Sequence, residues 1–136
     1  MSRRVIAVAC AAAVVVLAAC TNTQAPAASG PHDGTETASV RDGVQTVTLT
    51  TGNDYRFHPS TIVVRPGKVK VILKNTAKTG APHNFQVTDF PADFVPLTGA
   101  GNTSEATFTA PAPGRYRFVC TIHVQQGQTG TLVVTK

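Results

Sequence analysis

The chain has 136 residues, 42% of them hydrophobic and 14% charged, with a formal net charge of +5. That length bounds a single domain. A mild positive charge, 6% aromatic residues and no tryptophan argue against a nucleic-acid surface built from phosphate contacts and stacked bases.

The first segment reads as export machinery. Arg3 and Arg4 open it, and Val5 to Ala19 then runs without a charge around Cys10. That run is too short for a permanent span and suits the apolar part of a signal peptide. It stops at Leu17-Ala18-Ala19-Cys20, which resembles the bacterial lipobox, where the cysteine is lipidated and becomes the first residue of the mature protein. The resemblance implies a signal peptide over 1–19 and lipidation at Cys20. It also implies a domain anchored in the cell membrane on its extracytoplasmic, periplasmic side. The paired arginines lack the longer polar pattern of a twin-arginine signal and are read as membrane-orienting. Their removal lowers the net charge by two, to +3.

From Thr21 to Asp42 the residues are mostly Ala, Pro, Ser, Gly and Thr. Such a stretch buries too little surface to offset its ordering entropy, so 20–42 is expected to be a lipidated cysteine followed by a flexible tether. His32 falls in this stretch and is read as incidental to it. Cys120 is then the one free thiol of an exported domain, since Cys10 leaves with the signal and Cys20 carries lipid. No disulfide framework is available to the mature chain, and a lone thiol in an oxidising compartment must be buried or occupied.

The remainder, 43–136, reads as strands. Val44 to Thr50 alternates, with Gln45, Val47 and Leu49 on the core side. Tyr55 and Phe57 follow a Gly52-Asn53-Asp54 turn. Thr61 to Arg65 is β-branched and ends at Pro66-Gly67, and Lys68, Lys70 and Lys74 alternate with Val69, Val71 and Leu73. Further strands are expected at His83 to Thr88, Ser104 to Thr109, Arg115 to Cys120 and Thr131 to Thr135, with Pro113-Gly114 turning the chain before Arg115. Asp89 to Thr103 is expected to be a long irregular connection, with Asp89 and Asp93 as solvated loop carboxylates. About seven or eight short strands between Pro/Gly turns predict an all-β, Greek-key β-sandwich.

The segment Cys120-Thr121-Ile122-His123 carries the chemistry. A soft thiolate and an imidazole three residues apart suit copper or zinc. His83, after Pro82 at the start of a strand, is the third candidate donor. One Cys with two His, and no further thiolate, is the donor set of a trigonal copper site with a weak axial ligand. His58, before Pro59, is read as a structural or surface histidine.

From Val44 to Thr135 the sequence resembles the cupredoxins, the small blue copper proteins such as plastocyanin. The likeness rests on Phe57-His58-Pro59 through Ile62-Val63-Val64 to Pro66-Gly67, on Pro82-His83-Asn84-Phe85, and on Cys120-x2-His123-x4-Gln128-x-Gly130. It implies one type 1 copper ion held by His83, Cys120 and His123. The family spacing usually puts methionine where Gln128 stands, and the chain's one methionine is Met1. Glutamine there resembles the stellacyanin-type site, with the amide oxygen as axial ligand. Gln125 and Gln126 are rivals, and an outward-pointing Gln128 would leave the site three-coordinate. The resemblance also gives Asn84 the role of linking the ligand loops near the Cys120 sulfur, and places the Pro82 carbonyl close to the metal. It implies an electron-transfer protein rather than an enzyme, docking transiently on a redox partner, monomeric and held at the membrane through Cys20. The alternative is a protein that stores, tolerates or delivers copper.

Overall fold

The computed structural model describes residues 34–136; the signal segment, Cys20, His32 and the tether as far as residue 33 lie outside the described residues. Ten strands run in chain order: β1 Thr35–Thr37, β2 Ser39–Arg41, β3 Val44–Thr51, β4 Thr61–Val64, β5 Lys68–Asn75, β6 His83–Val87, β7 Phe90–Thr98, β8 Thr103–Thr109, β9 Gly114–Val119 and β10 Thr129–Val134. They form a six-stranded sheet, β1-β4-β10-β9-β6-β7, and a four-stranded sheet, β2-β3-β5-β8. One short 3-10 turn, Val124–Gln126, is the only helical element among the described residues.

The sandwich follows from period-2 patterning, because successive side chains of a strand point to opposite faces. In β3, Gln45, Val47, Leu49 and Thr51 are buried; in β5, Val69, Val71, Leu73 and Asn75 are. These strands pair in parallel, Val47 opposite Val71 and Leu49 opposite Leu73. A parallel pair needs a crossover, and the chain makes it by placing β4 in the other sheet. There β4 lies parallel to β10, and β10 pairs antiparallel with β9.

Between the sheets Phe118 meets Phe57 with ring centroids 5.2 Å apart and Phe85 at 4.8 Å. Leu49, Ile62, Leu73 and Leu132 complete the dry centre. Each such side chain contributes roughly 1.5–3 kcal/mol when fully buried. Gly130 makes the β10 backbone thin where it passes this centre: a Cβ there would run into the Phe118 ring and the Ser60 carbonyl.

Two segments differ from the expectation. Residues 35–41, read as tether, form β1 beside β4 and β2 beside β3. The side chains of both strands are exposed, so the pairing is mainly backbone hydrogen bonding that composition does not register. The Asp89 to Thr103 connection contains the nine-residue strand β7. It lies at a sheet edge, where Pro91 and Pro96 are tolerated, and its register against β6 is interrupted twice. Alternation is lost with it: Val95 and Thr98 alone are fully buried. Asp93 is therefore a strand residue, and its partial burial raises its carboxyl above the usual value.

Candidate metal centre

Strand register brings the candidate donors to one end of the sandwich. Thr129 of β10 stands opposite Val119 of β9, so Gln128 returns beside Cys120, whose N–H donates to the Gln128 carbonyl at 3.0 Å. The intervening loop closes on itself. His123 N–H donates to the Cys120 carbonyl at 3.1 Å, and Gln126 N–H and Gln128 N–H both donate to the His123 carbonyl, at 3.1 and 3.2 Å. Gly127, at φ +81°, takes the left-handed turn that reverses the chain, a conformation glycine adopts without a Cβ penalty. Across the site, Arg56 Nη1 donates to the Gln126 carbonyl at 2.8 Å and to its neighbour Tyr55's carbonyl at 3.0 Å. Asn84 ties the third element in. Its Oδ1 accepts from Thr121 N–H and its Nδ2 donates to Thr121 Oγ1, both at 2.8 Å. Asn84 thus links the two loops through Thr121, the residue after Cys120. Pro82, directly before β6, is exposed.

Inside this frame four side chains converge. Cys120 Sγ lies 3.4 Å from His123 Nδ1, which lies 3.2 Å from His83 Nδ1. Gln128 Oε1 lies 2.8 Å from His83 Nδ1. The donor atoms of His83, Cys120 and His123 all fall within 4.8 Å of one another. His83, Cys120 and Gln128 are 0% exposed and His123 9%. Gln125 and Gln126 are exposed, so of the three glutamines only Gln128 faces this cluster.

The arrangement fits a metal ion. Two imidazole Nδ1 atoms, a thiol sulfur and an amide oxygen crowd one buried space, and with both Nδ1 atoms unprotonated a cation at their centre would satisfy them together. Two of the three donor separations, 3.2 and 3.4 Å, are near those that bonds of about 2 Å to one ion would set, and the whole set lies within 4.8 Å. One thiolate, two imidazoles and one weak oxygen donor suit copper better than the thiolate-rich sets of structural zinc.

Burial lowers the His123 pKa from its ordinary 6.5, repulsion from His83 lowers it further, and its hydrogen bond with Gln128 offsets part of this. The unfolded chain therefore takes up this proton before the folded one does. In the metal-free domain the stability contributed by this neutral histidine is expected to be complete above pH 6.5 and lost as the pH falls through the lowered value. Thermal melts of the apoprotein across this range check it, and a melting temperature that rises on acidification would contradict it.

A family model described as Cupredoxin-like domain matches residues 9–134. The chain belongs to the cupredoxin-like family. A search of curated protein sequences gave no significant match to this cupredoxin. Among solved structures, it is similar to auracyanin from Roseiflexus castenholzii at 25% identity and TM-score 0.59, covering 67% of this chain and 97% of that one. Auracyanin A from Chloroflexus aurantiacus, a "blue" copper protein, gives 25% and 0.59, covering 68% and 100%. The metal-binding domain of the Cu(I)-exporting P-type ATPase CopA of Streptococcus pneumoniae, solved with Cu(I), gives 17% and 0.63, covering 76% and 97%. At that identity the likeness is one of fold.

Two residues of this cupredoxin's centre escaped the sequence reading. Tyr55 sets its ring edge against His123, with centroids 4.7 Å apart, and against His83 at 5.9 Å. It does so from φ +55°, an uncommon conformation for a bulky residue. Its visible signal was an aromatic directly after a Gly-Asn-Asp turn. Thr51 accepts a 2.6 Å hydrogen bond from Gln128 Nε2; its signal was a polar residue on the core-facing register of β3. His58 pairs with Asp54 at 2.6 Å and lies outside the donor cluster.

Proposed function

We propose that this cupredoxin binds one type 1 copper ion through His83, Cys120 and His123, with Gln128 Oε1 as axial ligand, and works as a one-electron carrier rather than an enzyme. The observation that carries this reading is the convergence of four buried donors on loops already hydrogen-bonded to each other. A copper ion held there supplies a Cu(II)/Cu(I) couple. Cys120 contributes the soft thiolate, the histidines the two imidazoles, and Gln128 a hard oxygen that favours Cu(II). Arg56 and Asn84 hold the loops in place, so the donors move little between oxidation states. With these positions filled, no place is left for a substrate.

His123 is the donor nearest solvent, and Ile122 beside it in sequence and Pro82 beside His83 are exposed. Tyr55 covers part of the ring, which narrows the electron doorway to a rim suited to brief docking of a redox partner. In this proposal Cys20 anchors a monomeric domain to the extracytoplasmic face of the membrane, a reading supported by the lipobox-like Leu17-Ala18-Ala19-Cys20. Complete burial of Cys120 and His83 argues against copper delivery, which needs ligands an acceptor can reach.

Stopped-flow oxidation of the Cu(I) protein by a membrane redox partner is expected to outpace transfer of copper to an apo-acceptor. Faster ion transfer than electron transfer would overturn the proposal in favour of delivery. Gln128→Met is expected to raise the reduction potential, because a thioether is softer than an amide oxygen. Direct voltammetry checks this, and an unchanged potential would remove Gln128 from the ligand set.

A further inference from the structure

Gln128 offers two chemically opposite ends to one small space. Its carbonyl oxygen can accept from a donor or bind a cation, whereas its amide nitrogen can only donate. The side chain is fully buried, so both ends must be satisfied by the protein. Oε1 faces His83 Nδ1 at 2.8 Å, and Nε2 donates to Thr51 Oγ1 at 2.6 Å.

Thr51 is well placed to set that choice. It ends β3, 1% exposed, on the same inward register as Val47 and Leu49. Its position is fixed by the ladder with Asn75, and its carbonyl is held by Thr76 N–H at 2.8 Å and Thr76 Oγ1 at 3.0 Å. Because β3 belongs to the four-stranded sheet and Gln128 leads into the six-stranded one, this hydrogen bond spans the mouth of the sandwich. The place of Oε1 is thereby referred to the opposite sheet and not only to its own loop.

We propose that Thr51 is the positioning residue of the axial ligand: by holding the amide nitrogen of Gln128 it turns the carbonyl oxygen toward the histidines and the thiol and sets how near the metal it lies. This rests on the copper reading above. The test uses the Cu(II)-loaded full domain of the wild type, Gln128→Leu, Thr51→Val, Thr51→Ser and the Gln128→Leu/Thr51→Val double variant. Electron paramagnetic resonance, visible spectra and voltammetry are the readouts.

Gln128→Leu is expected to raise the potential. Thr51→Val should move potential and spectrum part of the way in the same direction, and Thr51→Ser should restore wild-type values. In the double variant the Thr51 change should add nothing, as expected of two groups acting through one interaction. Thr51→Ala replaces the valine variant if that one does not fold. Should Gln128→Leu shift the potential while Thr51→Val or Thr51→Ala matches the wild type, the positioning role is overturned and the axial ligand stands. A silent Gln128→Leu overturns the axial ligand and the role of Thr51 together.

Discussion

Replacing Cys120 by serine is expected to abolish the intense visible absorption of the copper-loaded protein while the domain stays folded. The band requires a thiolate bound to Cu(II), and Cys120 is the one thiol among the described residues. Its Sγ sits 3.4 Å from His123 Nδ1 at the end of β9, with no exposure to solvent. Serine nearly matches the shape but presents a harder oxygen that stays protonated at neutral pH. Cys120 also packs in the apolar core, so a buried hydroxyl there costs about 1–3 kcal/mol in the metal-free state. Far-ultraviolet circular dichroism of the apo variant checks the fold, and Cu(II) titration checks the band. A serine variant that keeps the absorption would refute Cys120 as ligand.

Phe118→Ala is expected to destabilise the apoprotein by about 3–5 kcal/mol. The ring has no exposure and meets both Phe57 and Phe85. Gly130 passes so close to it that the neighbouring backbone is shaped to this side chain. Emptying that space cannot be repaired by Gly130, which has no side chain to move inward. Against a total stability of about 5–15 kcal/mol for a domain, the loss threatens folding without metal. Urea denaturation should show a lower midpoint with the slope retained. A shift below about 1 kcal/mol would mean that the core collapses around the cavity more completely than these contacts suggest.

Much of this was legible in the residues themselves. The inward face of β3 and β5 followed from alternation, because each strand has one solvated and one dry side. His83, Cys120 and His123 were nameable because few residue types bind a soft metal. Gln128 came from the family resemblance, whose spacing usually puts methionine there, with Gln125 and Gln126 as rivals. Other features depended on space rather than pattern. Thr51 and Gln128 are 77 residues apart, and nothing local in either marks the other. Tyr55 meets the histidines from a left-handed backbone that its local sequence does not announce. β7 was hidden by prolines that a sheet edge tolerates, and β1 and β2 by exposed side chains that give no burial pattern.

Those first two strands have a consequence for the edges of the two sheets. β1 is the outermost strand of the larger sheet and β2 the outermost strand of the smaller. A single short ribbon, crossing from one to the other at Ala38, therefore covers two longer strands at once and leaves three-residue edges in their place. Behind it lie Thr61–Val64 and Val44–Thr51, both rich in β-branched residues and suited to recruiting strands from other chains. Shortening the chain to residue 43, as its composition invites, would uncover a template for self-association on each sheet.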